Sequence, residues 1–315
     1  MPTSPSPRPL ARVLLCGAGA VGSTYASLLH AADPGGLALL AGGERRARLL
    51  GDGLLVNGRR LAPRVVAPGE EAPPADLVLL AVKQHHLPAA VEALRGHVGP
   101  ATLLVSLLNG VSSEGVLAAA FGEANVLPAF VVGTDAVRVD GETRYSRTGR
   151  VVLGARSNDP ADGRVAAVRV RLEGAGIPCE VPADILREQW WKWMLNVGVN
   201  QVSAVLRAPY GAFAAVPEVA GLARAAALEA VAVAQAEGVA LGPGDVDRIF
   251  PILATLSPAG KTSMLQDVEA GRKTEVELFA GTVLTLGARH GIATPVNALL
   301  GQQLVALERL AGARP

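Results

Sequence analysis

The sequence predicts an α/β fold with two parts, a doubly wound amino-terminal domain and an all-helical carboxyl-terminal one. Three observations lead there. Short, near-continuous apolar runs alternate with helical stretches up to about residue 182, as strands buried on both faces of a parallel sheet require. The first run leads directly into Gly17-Ala18-Gly19-Ala20-Val21-Gly22, a G-x-G-x-x-G loop set between a strand and a helix. Beyond Pro182 the strand signals almost vanish and long helical patterns take over.

The elements follow in order. Residues 1–10 hold four prolines and two serines and read as a flexible leader. Strands are expected at 12–16, 37–41, 76–83 and 101–108, with helices at 21–32, 88–98 and 113–121. Between 125 and 182 the rhythm changes. Strands are expected at 126–139, 142–145 and 150–153, with turns at Asp140-Gly141 and Thr148-Gly149, then a helix at 162–174 and a short strand at 177–181. Helices are expected at 184–206, 217–238, 245–255, 275–288 and 294–310. This divides the chain into a Rossmann-type, dinucleotide-binding domain at 1–182 and an all-helical domain at 183–315.

Composition narrows the function classes. Lys and Arg total 29 against 28 Asp and Glu, a formal charge of +1, so the electrostatic footprint of a nucleic-acid binder is missing. No apolar run is expected to approach the roughly 18 residues of a membrane span. Two cysteines, Cys16 and Cys179, exclude a disulfide scaffold and fit a reduced, cytoplasmic setting. Neither has metal-ligand spacing with a histidine, and no metal site is expected. Only four of the 29 cations are lysines, Lys83, Lys192, Lys261 and Lys273, so lysine chemistry has few candidates.

In the glycine loop, the first glycine permits the tight turn, the second lets backbone approach a pyrophosphate, and the third packs helix on strand. The second strand ends in Ala41-Gly42-Gly43-Glu44-Arg45-Arg46. No acid ends the strand to hold a ribose 2′-hydroxyl, and the arginines favour a 2′-phosphate, hence NADPH. Lys83 and Asn109-Gly110 end later strands, where ligands of open α/β sheets bind.

The segment from Trp190 to Asn200 carries all three tryptophans around Lys192. Lys192, Asn196 and Asn200 are spaced i, i+4 and i+8, drifting about 40° per step along one helix face. Such a polar stripe needs water or a ligand as partner. Further on, Ser263-x-x-Gln266 and Thr274-x-x-Glu277 both fit capping boxes, with Gly271 a stop between them. Ser263 is then a plain N-cap or a ligand group, and Glu275 falls in the first turn of its helix.

With these residues in hand, the chain resembles the ketopantoate reductase (2-dehydropantoate 2-reductase) family from about residue 13 to about 307. The resemblance rests on the Gly17–Gly22 loop, Lys83, Asn109-Gly110, the Lys192/Asn196/Asn200 segment, and Ser263-Met264-Leu265-Gln266-Asp267 leading to Arg272-x-Thr274-Glu275. It implies NADPH-dependent reduction of the 2-oxo group of ketopantoate, a step of pantothenate biosynthesis. It further implies that Lys192 is the catalytic general acid and that Glu275 holds the reacting oxygen. Asn109, Asn196, Asn200 and Ser263 would line the substrate, Lys83 and Asn109 would lie near the cofactor, and Gly17, Ala18, Gly19, Ala20, Val21, Gly22 and Arg45 would bind it. In one departure, Gly42 and Gly43 stand where the family usually has an arginine, and Arg45 or Arg46 is near enough to substitute.

The chemistry agrees. Hydride added to a ketone carbon leaves negative charge on oxygen, which an ammonium both stabilises and protonates. Two other readings stay open: a reductase of a different 2-oxo or 3-oxo acid, and a non-catalytic NADPH-binding regulator. Alanine-rich stretches such as 220–236 can pack within a domain or against a second copy in a homodimer.

Overall fold

The computed structural model describes residues 9–157, 159 and 162–312. Of the leader expected at 1–10, residues 1–8 lie outside that set. The chain divides into two compact units, one formed by residues 1–109 and 113–185, the other by 110–112 and 186–315.

In the first unit, β1 (Val13–Cys16), β2 (Leu37–Leu40), β5 (Arg64–Val66), β6 (Leu77–Leu80), β7 (Leu103–Ser106) and β8 (Val126–Leu127) form one sheet in the order β5-β2-β1-β6-β7-β8. Every neighbouring pair is parallel. The alternate residues of each strand feed two separate cores. Val13, Leu15, Leu37, Leu39, Leu77 and Leu79 pack on one face, and Leu14, Cys16, Leu40, Val78, Leu80 and Leu104 on the other. That is why these strands read as unbroken apolar runs rather than alternating ones. Helices α1 (Ala20–Ala32), α2 (Gly43–Asp52), α3 (Leu87–Leu94) and α4 (Ser113–Phe121) follow β1, β2, β6 and β7.

The remaining strands make two small sheets. β10 (Val137–Val139), β11 (Glu142–Arg144), β3 (Leu54–Val56) and β4 (Arg59–Leu61) run side by side in that order. β13 (Cys179–Glu180), β12 (Thr148–Leu153) and β9 (Ala129–Thr134) form the other, with α5 (Gly163–Glu173) between β12 and β13 in sequence. Three expectations change here. The strand expected at 126–139 breaks into three, the first break at Pro128, which cannot donate to a ladder. Thr148-Gly149 lies inside β12 instead of forming a turn; a Cβ at Gly149 (φ +70°) would stand 2.6 Å from the Val132 carbonyl oxygen of the paired strand. β3, β4 and β5, between 54 and 66, had no counterpart in the sequence pattern.

The second unit is helical: α6 (Ile185–Leu206), α7 (Ala212–Ala215), α8 (Pro217–Ala236), α9 (Pro243–Asp247), α10 (Ile249–Ala254), α11 (Ser263–Glu269), α12 (Thr282–His290) and α13 (Pro295–Gly312). The helix expected at 245–255 is thus two short ones. α6 is central. At Gly198 a Cβ would lie 2.7 Å from the Ala223 carbonyl oxygen, so the glycine lets α6 and α8 approach closely. A buried polar chain fixes three helices: Gln201 donates to Asn297 (2.8 Å), and Asn297 donates to Glu229 (2.7 Å). Against the composition reading, α8 is long and apolar enough by those two criteria to cross a membrane. Its Val219, Ala223, Ala226, Ala227, Ala230 and Val231 are buried in this unit's core, and its Glu229 receives the amide N–H groups of Val296 and Asn297.

Candidate active site

The glycine loop lies at the carboxyl end of β1, which is flanked by β2 (Cys16 opposite Leu40) and β6 (Cys16 opposite Leu80). The order in which strands are added reverses at this point, so a crevice opens beyond these strand ends. The three glycines differ in what forbids a side chain. At Gly17 (φ +105°) a Cβ would sit 2.6 Å from the Ala81 backbone, and at Gly22 it would sit 1.8 Å from the Gly17 carbonyl oxygen. Those two are demanded by the protein itself. At Gly19 a Cβ would meet nothing nearer than the Ala81 oxygen at 4.0 Å. No internal contact requires glycine there, and the bare backbone suits close approach by a bound group. Gly19 is also the N-cap of α1, and its missing side chain leaves the first N–H groups of the helix without a side-chain cap. A dinucleotide pyrophosphate fits this cradle.

Ala18 is buried, whereas Ala20 and Val21, at the start of α1, are partly accessible. Arg45 is exposed in the first turn of α2. Although the residue as a whole is exposed, packing around its guanidinium, and then the charges of Arg138 and Arg48, pull that group below its usual range. Arg138, on β10, was missed in the sequence; it donates to the Ala18 carbonyl at 2.9 Å and to the Ser23 hydroxyl at 3.3 Å. Lys83 is partly buried just past β6, ahead of a short 3-10 turn, Gln84–His86. Asn109 is partly buried three residues after β7 ends.

In the second unit, α6 displays the expected stripe. Trp190 and Trp193 are buried edge to face, with ring centroids 5.2 Å apart at 79°. Trp191 is clamped outside them, donating to the Asp245 carbonyl at 3.1 Å beneath the Arg248 guanidinium, 4.9 Å from its ring. Lys192 keeps part of its side-chain surface accessible while its ammonium is desolvated. Burial pushes the ammonium down to about 8, and the nearby Glu275 carboxylate opposes that fall. One turn apart on the same helix, Asn196 is partly buried and Asn200 buried.

The segment carrying Glu275 differs from the capping-box reading. Thr262, not Ser263, caps α11, accepting from the Leu265 amide at 3.1 Å. Ser263 is therefore the first residue of the helix and is exposed. Gly271, at φ +62°, ends that helix as expected. Thr274 does accept from the Val276 amide (3.3 Å), but Glu277 pairs with Lys273 (2.8 Å) and completes no capping box. Glu275 precedes any helical turn; the chain then opens into a π-helical turn, Glu277–Gly281, before α12. Two ties hold this segment. Glu308 of α13 accepts from the Thr274 amide (2.7 Å) and hydroxyl (2.5 Å). Trp193, next to Lys192, donates its indole N–H to the Leu278 carbonyl at 2.9 Å, and the Leu278 amide donates to the Glu275 carbonyl at 2.9 Å. The wide turn thus fastens Glu275 to the helix of Lys192.

Of the expected residues, the second unit brings together Lys192 and Glu275, with Asn196 and Asn200 along the same helix. The first unit gathers the glycine loop and Arg45. A cavity of about 110 Å³ lined by Arg12, Val13, Leu37, Ala38, Arg64 and His97 opens at the opposite, amino-terminal end of the parallel strands and holds none of them.

Comparisons with known proteins match both units. The family described as "Ketopantoate reductase PanE/ApbA" matches residues 13–158, and "Ketopantoate reductase PanE/ApbA C terminal" matches residues 184–308. The chain is similar to the 2-dehydropantoate 2-reductase of Halobacterium salinarum, at 31% identity over 90% of this chain and 95% of the relative. It is 31% identical to that of Mycobacterium tuberculosis over 93% of this chain and 97% of the relative. Among solved structures, 2-dehydropantoate 2-reductase from Geobacter metallireducens matches with a TM-score of 0.81 at 30% identity, covering 94% and 99% of the two chains. D-mandelate dehydrogenase in complex with NADH and anilino(oxo)acetate shares the fold (TM-score 0.85, 20% identity, 96% and 100% covered).

Proposed function

This chain belongs to the ketopantoate reductase family of oxidoreductases, and on that premise we propose that it reduces 2-dehydropantoate to pantoate with NADPH, Lys192 acting as general acid. The observation that carries the proposal is Lys192 on α6 of the helical unit, its ammonium desolvated and within electrostatic reach of the Glu275 carboxylate. When bound, the dinucleotide supplies the hydride. The amino-terminal unit binds the cofactor through Gly17, Ala18, Gly19, Ala20, Val21, Gly22 and Arg45, with Lys83 and Asn109 near its reactive end. The helical unit supplies the proton.

Each residue has a definite task. As hydride reaches C2, negative charge grows on the former carbonyl oxygen, and the Lys192 ammonium stabilises that charge and transfers a proton to it. Glu275 holds the ammonium in its charged form and accepts a hydrogen bond from the new hydroxyl. The amides of Asn109, Asn196 and Asn200 and the hydroxyl of Ser263 bind the substrate carboxylate and hydroxyl without bringing another cation. The free cysteines Cys16 and Cys179 suit a reducing cytoplasm.

The test is steady-state NADPH oxidation with 2-dehydropantoate, beside NADH and a panel of other 2-oxo and 3-oxo acids. Turnover concentrated on 2-dehydropantoate is the expected result. Comparable efficiency across the panel would replace the substrate, and tight NADPH binding with no turnover would turn the enzyme into a regulator.

The pH dependence is a separate prediction. A general acid must be protonated, so kcat/KM for reduction is expected to be level below pH 8 and to fall by about tenfold per unit above it. Pantoate oxidation should rise over the same range. In Glu275→Gln the charge that raises Lys192 is gone, so the falling limb moves to lower pH; a limb that stays in place refutes the pairing. Because the folded ammonium titrates near 8 and a free one near 10.5, the unfolded chain holds the proton longer, and folding stability should rise with pH between those values.

A further inference from the structure

We propose that Arg138, on strand β10 of the small sheet, is a specificity-determining residue for the dinucleotide: with Arg45 and Arg48 it forms a cationic pocket for the 2′-phosphate that separates NADPH from NADH. The inference rests on the NADPH reading above and assigns part of the recognition to a strand far from the glycine loop in sequence.

β2 ends at Leu40, opposite Cys16 at the start of the glycine loop. Recognition of an unphosphorylated ribose needs a carboxylate there to accept from the 2′-hydroxyl. The chain offers Ala41, Gly42 and Gly43 instead, and a Cβ at Gly43 would meet nothing within 4 Å. The adenosine end of a dinucleotide bound on Gly17–Gly22 therefore finds room and no carboxylate on the strand end itself, the nearest in sequence being Glu44 in the first turn of α2, next to Arg45. Cations come from two directions. α2 brings Arg45 and Arg48, and β10 brings Arg138, whose Nη1 is fixed on the Ala18 carbonyl (2.9 Å) and the Ser23 hydroxyl (3.3 Å). Both acceptors belong to the glycine loop and the first turn of α1, so the guanidinium is held over the cradle.

The pairing pattern gives these three arginines their meaning. Several neighbours are neutralised: Arg46 faces Glu70 at 3.9 Å, Arg144 faces Glu142 at 2.7 Å, Arg147 faces Asp135 at 3.6 Å, and Arg150 faces Glu180 at 2.6 Å. Arg59, Arg60 and Arg64, on β4 and β5, carry no such partner among the described residues either, so what distinguishes Arg138 is its tie to the glycine loop. Among the described residues, Arg45, Arg48 and Arg138 have no carboxylate partner. They are close enough that Arg138 and Arg48 depress the Arg45 guanidinium. Like charges gathered without a counter-ion, beside a phosphate-binding loop, form a site for a dianionic group. Two nitrogens of Arg138, Nη2 and Nε, are left to meet it.

Direct binding tests this without turnover. Calorimetric titration with 2′-phospho-ADP-ribose and with ADP-ribose is run on the wild type, Arg138→Gln, Arg138→Lys and Arg147→Gln. Loss of a charge-assisted contact predicts that Arg138→Gln weakens the phosphorylated ligand by roughly 10- to 100-fold and leaves ADP-ribose within about twofold. Arg138→Lys should recover part of the loss, and Arg147→Gln, which removes an ion-paired cation on the same unit, should keep the wild-type ratio. Arg138 is exposed on an edge strand, so melting curves should coincide and a folding defect is separable. Equal weakening of both ligands would reduce Arg138 to a brace for the loop and overturn the proposal, as would an unchanged ratio. A wild type that binds both ligands alike would remove the NADPH reading and this inference together.

Discussion

Lys192→Ala is expected to lower kcat for 2-oxo acid reduction by roughly three to five powers of ten, with the protein still folding cooperatively. General-acid transfer alone is worth about two to four powers of ten, and stabilisation of a developing oxyanion adds to it. No other lysine of the helical unit is free to take over, because Lys261 is held by Glu269 at 2.7 Å and Lys273 by Glu277 at 2.8 Å. The fold should survive: the variant sheds a desolvated charge but leaves Glu275 without its cation, a loss tempered because Glu275 is only half-buried and stays open to water, while Trp190 and Trp193 keep their packing. Lys192→Arg separates the two tasks of the ammonium: a guanidinium keeps the charge but does not give up its proton near neutral pH, so it should restore little of the rate. Single-turnover absorbance of NADPH measures chemistry apart from binding. A variant that turns over within tenfold of the wild type would remove Lys192 from the mechanism.

The second large effect is expected in the glycine loop, where the three positions should fail differently. Gly22→Ala sets a methyl group 1.8 Å from the Gly17 carbonyl oxygen, so the loop or α1 must move. Overpacking against backbone of this kind costs about 1–3 kcal/mol or more, and dinucleotide affinity should fall with it. Gly17→Ala adds strain at φ +105° to a clash with Ala81. Gly19→Ala meets nothing closer than 4.0 Å within the protein. It should melt with the wild type yet bind NADPH at least about tenfold more weakly, as a lost close approach worth some 1.4 kcal/mol would give. Thermal unfolding with and without NADPH resolves all three. Equal melting and equal affinity in Gly19→Ala would mean that the cradle does not receive the pyrophosphate.

Legibility in the sequence followed the length of each pattern. β1, β6 and β7 announced themselves because burial on both faces makes every residue apolar, and G-x-G-x-x-G gained its meaning from the strand before it and the helix after it. The stripe of Lys192, Asn196 and Asn200 was visible because it repeats at the helical period. β3, β4 and β5 were not, since each spans three residues and Arg59, Arg60 and Arg64 interrupt the apolar pattern. The cap of α11 was displaced by one because Thr262 and Ser263 are both good capping residues and only backbone geometry chooses between them. Glu275 was assigned to a helix because a π turn has no composition of its own. Arg138 was silent for a different reason: its acceptor, Ala18, lies 120 residues earlier, and nothing local marks the meeting.

The tie between Glu308 and Thr274 also sets an order for the life of the molecule on the ribosome. Lys192 is synthesised, and α6 can form, well before the chain reaches residue 275. The segment bearing Glu275 then waits some thirty residues for α13 to deliver the carboxylate that grips Thr274 at 2.5 and 2.7 Å. A nascent polypeptide therefore holds its proton donor before it can fix the group that keeps that donor charged. A chain that stops before residue 308 would lack the carboxylate that grips Thr274, and with it one of the two ties that set Glu275 in place.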